Sequence, residues 1–255
     1  MIPVDLGSRH LHATKGDGVL RVVIDRPERR NALTIEMYHG IKKAAVLAER
    51  DPAVDVLVVT ATGEYFCVGG EMGGKHEGGQ AIDRETDGLD LTPFIQLERC
   101  PKLVLMAING MCQGGGLVMT LMSDLSVVSE RATFRVPELL RGVADCYFGA
   151  RLASRVGMAR AKYLLFTAQY VTAAEALAMG LVSRVVPHDQ LDAAVAETVG
   201  WVRQTAPRAR TLLKRDLNRQ LPSIDFPMFA ESLVGEEVRE GFAAFVKKRP
   251  PRWVR

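Results

Sequence analysis

The sequence lacks the motifs of several common kinds of site. Its four cysteines form no CxxC pair and no regular framework, so we expect reduced thiols in a cytoplasm and not a disulfide scaffold. The five histidines are scattered and form no HExxH pair, which argues against a metal site. No GxGxxG follows the first strand, no GxxxxGK followed by Ser or Thr occurs, and a GxSxG elbow is absent. These absences argue against nucleotide binding by such turns and against a serine hydrolase triad.

Long apolar runs and strong charge are lacking as well. No apolar run approaches the roughly 20 residues that span a bilayer, and the N-terminus has neither the basic start nor the apolar core of a secretory signal. The net charge of +3 is too small to indicate a nucleic-acid partner, although a mildly basic surface suits anionic small molecules. The composition, 47% hydrophobic and 25% charged, predicts an ordinary soluble globular protein. From the cysteines and the lack of a long apolar run, we expect a cytoplasmic protein with no membrane partner.

What the sequence does contain is two glycine-rich turns, each after a predicted strand. The apolar run 102–108 predicts a buried strand, Asn109-Gly110 ends it, and Gly114-Gly115-Gly116 lead into the apolar segment 117–122, which predicts a buried helix. Such a helix start presents unpaired backbone N–H groups at its positive end and stabilises an anion. A second cluster, residues 66–72 (FCVGGEM), follows the strand upstream. One such turn is equally explained as a tight connection without chemistry, but two can hold one oxyanion.

The order of predicted elements changes near residue 195. Strands and helices alternate before it, and helices alone follow it, so we predict a core over residues 1–195 and a helical appendage over residues 196–255. A glycine-rich segment from 73 to 88 predicts a mobile loop or lid. The predicted strands are 19–25, 54–61, 102–108, 125–129, 132–136 and 181–186. The predicted helices are 35–50, 91–99, 117–122, 151–157, 159–167, a short one after a capping box at Thr172, 190–204, 208–220 and 228–248.

Six motifs follow one another along almost the whole chain. They are Asn31-Ala32-Leu33, Phe66-Cys67-Val68-Gly69-Gly70-Glu71, Ala107-Ile108-Asn109-Gly110 with Gly114-Gly115-Gly116, Phe134-Arg135-Val136-Pro137-Glu138, the segment 174–186 (AEALAMGLVSRVV), and Phe245-Val246-Lys247-Lys248-Arg249. With these motifs the chain resembles the crotonase family, the enoyl-CoA hydratases and isomerases. The resemblance implies an α/β fold, a spiral of repeated strand-strand-helix turns. It also implies C-terminal helices that assemble trimers, often paired as hexamers, and acyl-CoA substrates. Coenzyme A is then part of the substrate, and no prosthetic group is expected.

The resemblance also implies roles for single residues. The backbone N–H groups of Val68 and Gly115 would form the oxyanion hole, and Glu138 matches the catalytic carboxylate of the family. The residues expected to contact coenzyme A are Arg29 and Arg30, near its adenine, and Lys248, at its phosphates. For Glu138 and Lys248 the alternative interpretation is a solvated surface charge.

Three positions depart from the family pattern. Hydratases of the family carry a second glutamate where this chain has Val118, which cannot transfer a proton. Asp145 lies where some members with other chemistries place an acidic residue, and it equally fits a helix N-cap or a salt-bridge partner. Glu71 replaces the aspartate that is common in the first glycine turn.

These residues favour an acyl-CoA enzyme that works through an oxyanion-stabilised thioester enolate. A single carboxylate, Glu138, suffices to move a proton between two carbons, so double-bond isomerisation is slightly preferred. The alternatives are an enoyl-CoA hydratase, a CoA-ester hydrolase or dehalogenase that uses Asp145, and a non-catalytic acyl-CoA binder that kept only the fold. The segment 73–100 is expected to shape the pocket for the acyl group.

Overall fold

The most apolar runs of the sequence form the middle of a large sheet. In the computed structural model, which describes residues 1–71 and 92–254, β4 (Val56–Ala61) and β6 (Leu103–Ile108) are buried along nearly their whole length. They are parallel neighbours, and β3 (Val19–Ile24) and β8 (Leu125–Ser129) flank them. Such continuous apolar strands are typical of a parallel sheet that is covered on both faces.

The larger sheet has seven strands in the order β1-β2-β3-β4-β6-β8-β11 among the described residues. Its edges are β1 (Ile2–Val4) and β11 (Arg184–Val186), and β2 (Leu11–Gly16) lies next to β1. The pairs β1/β2 and β2/β3 are antiparallel, and all others are parallel. Strands β1 and β2 were not predicted, because their polar, half-exposed residues lack a clear apolar alternation.

A smaller sheet, to which the described residues contribute four short strands, lies beside it. Its order is β10-β9-β7-β5, formed by β5 (Tyr65–Cys67), β7 (Met111–Gln113), β9 (Thr133–Arg135) and β10 (Val171–Thr172). The strands β5, β7 and β9 are parallel, and β10 is antiparallel to β9. Only β9 was predicted from the sequence, since strands of two or three residues are too short to establish a period.

The two sheets are connected by a repeated unit. Each unit gives one strand to the larger sheet, the next to the smaller sheet and then a helix: β4-β5-α2, β6-β7-α3 and β8-β9-α4. These helices are α2 (Phe94–Arg99), α3 (Gly115–Leu121) and α4 (Cys146–Val156). The predicted α/β class and the strand-strand-helix repeat are confirmed.

The first long helix, α1 (Ile35–Arg50), has the predicted bounds. Thr34 caps it, because its hydroxyl accepts a hydrogen bond from Met37 N at 3.2 Å. Its buried face, which includes Met37, Ile41 and Ala44, packs into the main core. The opposite face is polar, as expected for a helix that covers a sheet.

The remaining helices follow in chain order. They are α5 (Met158–Thr167), α6 (Ala173–Ala178), α7 (Leu191–Arg203), α8 (Pro207–Arg219), α9 (Phe226–Val234) and α10 (Glu236–Val246). The capping box at the start of α6 is confirmed: Thr172 N donates to the Glu175 carboxylate at 2.7 Å, and Glu175 N donates to the Thr172 hydroxyl at 3.2 Å. The single helix predicted over 228–248 is wrong, because Gly235 separates α9 from α10.

Helix α8 is attached to the core through buried charges. The Lys214 ammonium donates to the Asp124 carboxylate at 2.6 Å and to the Lys102 carbonyl at 3.0 Å. Burial raises the pKa of Asp124, and the ammonium group of Lys214 opposes that rise. The division into a core over 1–195 and an appendage over 196–255 stays a prediction.

The predicted loop from 73 to 88 lies outside the described residues. Within the described ranges, none of the helices combines the length and the apolarity required to cross a bilayer. All four cysteines are buried and unpaired.

Candidate active site

Two glycine turns meet at one edge of the smaller sheet. The parallel strands β5 and β7 are neighbours, with Cys67 opposite Cys112, so the turns that follow them begin side by side. Gly69 has a φ of 103° and Gly114 a φ of 54°, values that glycine adopts without strain. A Cβ on Gly114 would lie only 3.2 Å from the Gly69 Cα, so the absence of a side chain allows the two turns to touch.

The second turn opens helix α3 toward the first. Gly114 is the N-cap without a side-chain cap, and Gly115 is the first helical residue. The amides of a first helical turn have no partner within the helix and carry its positive end. Val68 directly precedes Gly69 in the other turn. The structure therefore brings Val68 and Gly115 into two touching turns.

Glu138 projects onto these turns from the third spiral unit. Strand β9 lies next to β7, and after Pro137 the chain forms a short 3-10 helix, Glu138–Arg141. The Glu138 Oε1 lies 3.2 Å from the position that a Cβ on Gly114 would take. Its Oε2 is buried and has no hydrogen-bond partner within the described residues. Burial, followed by the negative charge of Asp145, raises the pKa of Glu138 to about 8.

Asp145 is both a helix cap and an electrostatic neighbour of Glu138. Its Oδ1 accepts hydrogen bonds from Tyr147 N at 2.8 Å and Phe148 N at 3.1 Å. Helix α4 therefore begins at Cys146, and the start predicted from the sequence, residue 151, is wrong. Burial raises the pKa of Asp145 to about 6, although the two amide hydrogen bonds favour its charged form.

The two carboxyl groups consequently differ in charge at neutral pH. With a pKa of about 8, Glu138 is mostly protonated, and with a pKa of about 6, Asp145 is mostly ionised. Environments that separate the pKa values of neighbouring carboxyls are typical of acid–base pairs.

Val118 contributes no polar group to this site. It lies in α3 and is only 1% exposed. A carboxylate at this position would be buried at the cost of desolvation. Among the described residues, Glu138 projects its carboxyl group onto the glycine turns and has Asp145 as its electrostatic neighbour, whereas the carboxylate of Glu71 in the first turn is bonded to Arg26.

Aromatic side chains that no sequence motif indicated also line the site. Tyr38 of α1 stacks edge-to-face on Phe94 at 5.8 Å between ring centroids, and Phe94 does so on Tyr147 at 4.8 Å. The Tyr147 hydroxyl is 3.3 Å from the Thr92 hydroxyl. The apolar periodicity of α1 indicated which face of the helix covers the sheet. It did not indicate that Tyr38 lies at the site.

The candidate coenzyme A contacts Arg29 and Arg30 lie on an exposed turn. This turn, the 3-10 helix Pro27–Arg29, is fixed by Asn31, whose side chain accepts from Arg26 N at 2.8 Å and donates to the Thr62 carbonyl at 2.9 Å. The Arg30 guanidinium lies 5.5 Å from the ring centroid of Tyr65. Since β5 begins at Tyr65, the turn is adjacent to the strand that leads to Val68.

Lys248 lies just beyond the end of α10. Its side chain is exposed, its φ is 51°, and its ammonium group forms no ion pair with another described residue. No contact in the described structure joins it to the glycine turns. Glu71, in the first turn, accepts a hydrogen bond from the Arg26 guanidinium at 3.0 Å.

The chain matches one protein family over nearly its full length. The profile described as enoyl-CoA hydratase/isomerase covers residues 14–255. The probable enoyl-CoA hydratase echA6 of Mycobacterium leprae is 32% identical, with 94% of this chain and 97% of that protein aligned. The mevalonyl-coenzyme A hydratase sidH of Aspergillus fumigatus is 30% identical, with 92% of this chain and 91% of that protein aligned.

A solved structure agrees with the fold as well. The crystal structure of a carnitinyl-CoA hydratase from Mycobacterium avium superposes with a TM-score of 0.84 at 28% identity. The superposition covers 97% of this chain and 99% of that one. The two proteins therefore share their fold over 97% of this chain.

Proposed function

The chain belongs to the enoyl-CoA hydratase/isomerase family, and from this premise we propose that it reversibly hydrates a 2-enoyl-CoA. In this proposal Glu138 is the general acid and Asp145 the general base. The N–H groups of Val68 and Gly115 bind the thioester oxygen. The chain acts on an acyl-CoA, so coenzyme A is part of its substrate.

The observation that carries this proposal is the pair of neighbouring carboxyls with separated pKa values. Addition of water requires a base that takes a proton from the water and an acid that delivers one to carbon. The ionised Asp145 and the protonated Glu138 meet these two requirements at neutral pH. Asp145 thereby supplies the second carboxyl group, which Val118 cannot supply.

In the proposed reaction, water adds across the C2–C3 double bond of the substrate. Asp145 removes a proton from water, and the hydroxide oxygen bonds to C3 of the enoyl group. The electron pair of the double bond moves onto the thioester oxygen, which becomes an enolate. As the enolate collapses, C2 takes the proton of Glu138, and the product is a 3-hydroxyacyl-CoA. Proton exchange with solvent, in which Asp145 loses a proton and Glu138 gains one, restores both groups.

Two backbone donors suit the charge that develops in this reaction. The first amides of α3 point from the positive end of a helix, and backbone N–H groups need no reorganisation as the oxygen becomes negative. Loss of one such donor typically costs about 3–4 kcal/mol of barrier. The touching turns of Val68 and Gly115 support this assignment.

The coenzyme A contacts are part of the same proposal. Arg29 and Arg30 form an exposed cationic turn next to β5, which suits the adenine and phosphate groups of the cofactor portion. Lys248 is a further cation, and we assign it to the phosphates. The similar proteins named above are a mevalonyl-coenzyme A hydratase and a carnitinyl-CoA hydratase, which supports hydration of a CoA thioester.

Isomerisation of a 3-enoyl-CoA is the second candidate. The apolar Val118 favours it, because a single carboxyl group that moves a proton between two carbons needs no second glutamate. In that reaction Glu138 first accepts a proton as a carboxylate, and Asp145 serves only as the cap of α4.

The test is to measure hydration of a 2-enoyl-CoA and isomerisation of a 3-enoyl-CoA by the variants Glu138→Gln and Asp145→Asn. Asparagine retains the capping capacity of aspartate, so Asp145→Asn alters the charge and not the helix start. Asp225→Asn is the matched control, because Asp225 caps α9 through Met228 N at 3.0 Å. We expect each of the first two variants to lose hydration by roughly a hundredfold or more.

Other outcomes identify other functions. Isomerisation that survives Asp145→Asn but not Glu138→Gln would favour the second candidate. Release of coenzyme A that depends on Asp145 would indicate a hydrolase or dehalogenase. Thermal stabilisation by acyl-CoAs without any turnover would indicate a binding protein.

A further inference from the structure

A phenol hydroxyl lies between the two glycine turns. The Tyr38 hydroxyl oxygen is 2.5 Å from the position that a Cβ on Gly115 would take and 3.0 Å from the corresponding position on Gly70. It therefore stands over the first residue of α3, beside the amide that opens that helix. Neither glycine can acquire a side chain without displacing this hydroxyl.

The structure shows no hydrogen bond between this hydroxyl and another of residues 1–71 and 92–254, and Tyr38 is half-buried. The ring itself is firmly placed, since it packs edge-to-face on Phe94. A hydroxyl that is not bonded to a protein group is available to donate a hydrogen bond to a ligand. The neighbouring tyrosine of the same aromatic row differs in this respect, because the Tyr147 hydroxyl is paired with that of Thr92.

We propose that Tyr38 is a third hydrogen-bond donor of the oxyanion site and binds the thioester oxygen of the acyl-CoA as negative charge develops on it. This inference rests on the proposed function, because it concerns the same oxygen that Val68 and Gly115 are assigned to hold. A side-chain phenol can supplement backbone donors in this way, as phenols do in other enolate-forming enzymes.

The Tyr38 hydroxyl is protonated, as a hydrogen-bond donor must be. Burial is the main influence that raises the pKa of Tyr38 well above its ordinary value, and the neighbouring Cys67, Asp145 and Glu138 add to it. The hydroxyl consequently keeps its proton throughout the pH range in which Glu138 and Asp145 titrate. It stabilises the enolate by donating a hydrogen bond and does not transfer its proton.

The position of the Tyr38 hydroxyl also explains why residues 70 and 115 are glycines. Gly115 and Gly70 both face the hydroxyl, and a methyl group on either would come too close to it. An alanine at either position should therefore move the phenol away from the oxygen, even though every backbone donor remains.

The experiment compares Tyr38→Phe with the wild-type protein and with Tyr163→Phe. Phenylalanine keeps the ring contact with Phe94 and removes only the hydroxyl. Tyr163 lies on α5 with 57% exposure and serves as a matched control for the loss of a phenol. Thermal unfolding verifies that all three proteins are folded.

The readout is the ionisation of a bound 3-ketoacyl-CoA, which loses its C2 proton to form an enolate that absorbs in the near ultraviolet. We expect Tyr38→Phe to raise the pKa of the bound ligand by about one unit, which corresponds to a roughly tenfold weaker preference for the enolate. Affinity for a saturated acyl-CoA should stay within about twofold of the wild-type value, because the hydrogen bond matters most when the oxygen is charged.

On 2-enoyl-CoA, kcat of Tyr38→Phe should fall by roughly tenfold to a hundredfold with little change in KM.

Two results would overturn this assignment. One is an unchanged ligand pKa in Tyr38→Phe, and the other is an equal loss of affinity for the ketoacyl and saturated ligands, which would indicate packing alone. Since the titration requires no turnover, it separates the two proposals. A wild-type protein that fails to hydrate enoyl-CoA but stabilises the enolate through Tyr38 would refute the proposed function and retain the third donor.

Discussion

The backbone of Gly142 lies directly against that of Glu237, so that a Cβ on Gly142 would overlap the Glu237 carbonyl group. Gly142 ends the 3-10 helix that begins with Glu138, and Glu237 belongs to α10. Gly241 makes the reciprocal contact, because a Cβ there would overlap the carbonyl of Arg141. The last helix is thus in direct backbone contact with the segment that carries the proposed acid.

Substitution of Gly241 should therefore disturb both stability and catalysis. Gly241→Ala adds a methyl group where no space exists, and we expect it to lower the free energy of unfolding by about 1–3 kcal/mol. Because α10 then shifts the Glu138 segment, kcat should fall as well. Urea unfolding and steady-state kinetics measure the two effects. Gly200→Ala in α7 is the control, since a Cβ at Gly200 meets no atom within 4 Å. Wild-type stability and rate in Gly241→Ala would contradict this coupling.

The rate of hydration should have a bell-shaped pH dependence. Activity requires ionised Asp145, so it should fall as the pH drops below about 6, and protonated Glu138, so it should fall as the pH rises above about 8. The profile of kcat/KM measures these limbs for the free enzyme. In Asp145→Asn, the residual activity should no longer fall as the pH drops below about 6. If Glu138 instead acts as a base in isomerisation, it must be ionised. The rate of isomerisation would then increase, and not decrease, as the pH rises through about 8.

The proposed donor at Gly115 is testable by a comparison of proline with alanine. Proline is tolerated at the first position of a helix, where it removes only an amide hydrogen. Both substitutions crowd the Tyr38 hydroxyl, but only proline deletes the N–H. We expect Gly115→Pro to be slower than Gly115→Ala by roughly a hundredfold. Equal rates in two folded variants would mean that the Gly115 amide does not bind the oxygen.

Much of the fold follows from local signals in the sequence. Continuous apolar runs predicted β4 and β6, and cap residues predicted the bounds of α1 and α6. The resemblance drawn from six ordered motifs is confirmed by the family profile. The short strands of the smaller sheet escaped prediction because pairing with neighbours, and not their own pattern, makes them strands.

The candidate site was only partly predictable. Glu138, Val68 and Gly115 stand in motifs, whereas the proximity of Asp145 to Glu138 depends on how the 3-10 helix turns toward α4. Tyr38 is separated from Gly115 by most of two spiral units. Its place in the site arises from tertiary packing, which a helical period does not encode.

A glutamate at position 118 tests whether a second carboxyl there is useful. Val118→Glu buries a carboxyl group in α3, where the wild-type side chain is 1% exposed, so we expect a lower thermal midpoint. If the buried group reaches water at the glycine turns, the double variant Val118→Glu with Asp145→Asn should recover part of the lost hydration. Val118→Gln with Asp145→Asn controls for size and polarity without a titratable group. Equal hydration in the two double variants would mean that this position cannot serve as a base.

The C-terminal helices predict a trimer or a dimer of trimers. Part of their apolar surface is covered by the core, as for Phe229 and Val238, but Leu213 and Leu217 on α8 are 61% and 55% exposed. Exposed apolar surface of this kind is typical of contacts between subunits. Light scattering at micromolar concentration measures the assembly, and Leu213→Glu with Leu217→Glu should dissociate it. A monodisperse wild-type monomer would contradict this prediction.

The contact of α10 with the Glu138 segment has a consequence for biosynthesis. A ribosome adds about 5–20 residues per second and completes the N-terminal part first. Both glycine turns and Glu138 therefore emerge several seconds before the helix that supports the 3-10 helix of Glu138. During that interval the Glu138 segment lacks the backbone contacts at Gly142 and Gly241 that support it. Catalytic competence should thus appear only when the final helix has docked, which makes activity a reporter of complete folding.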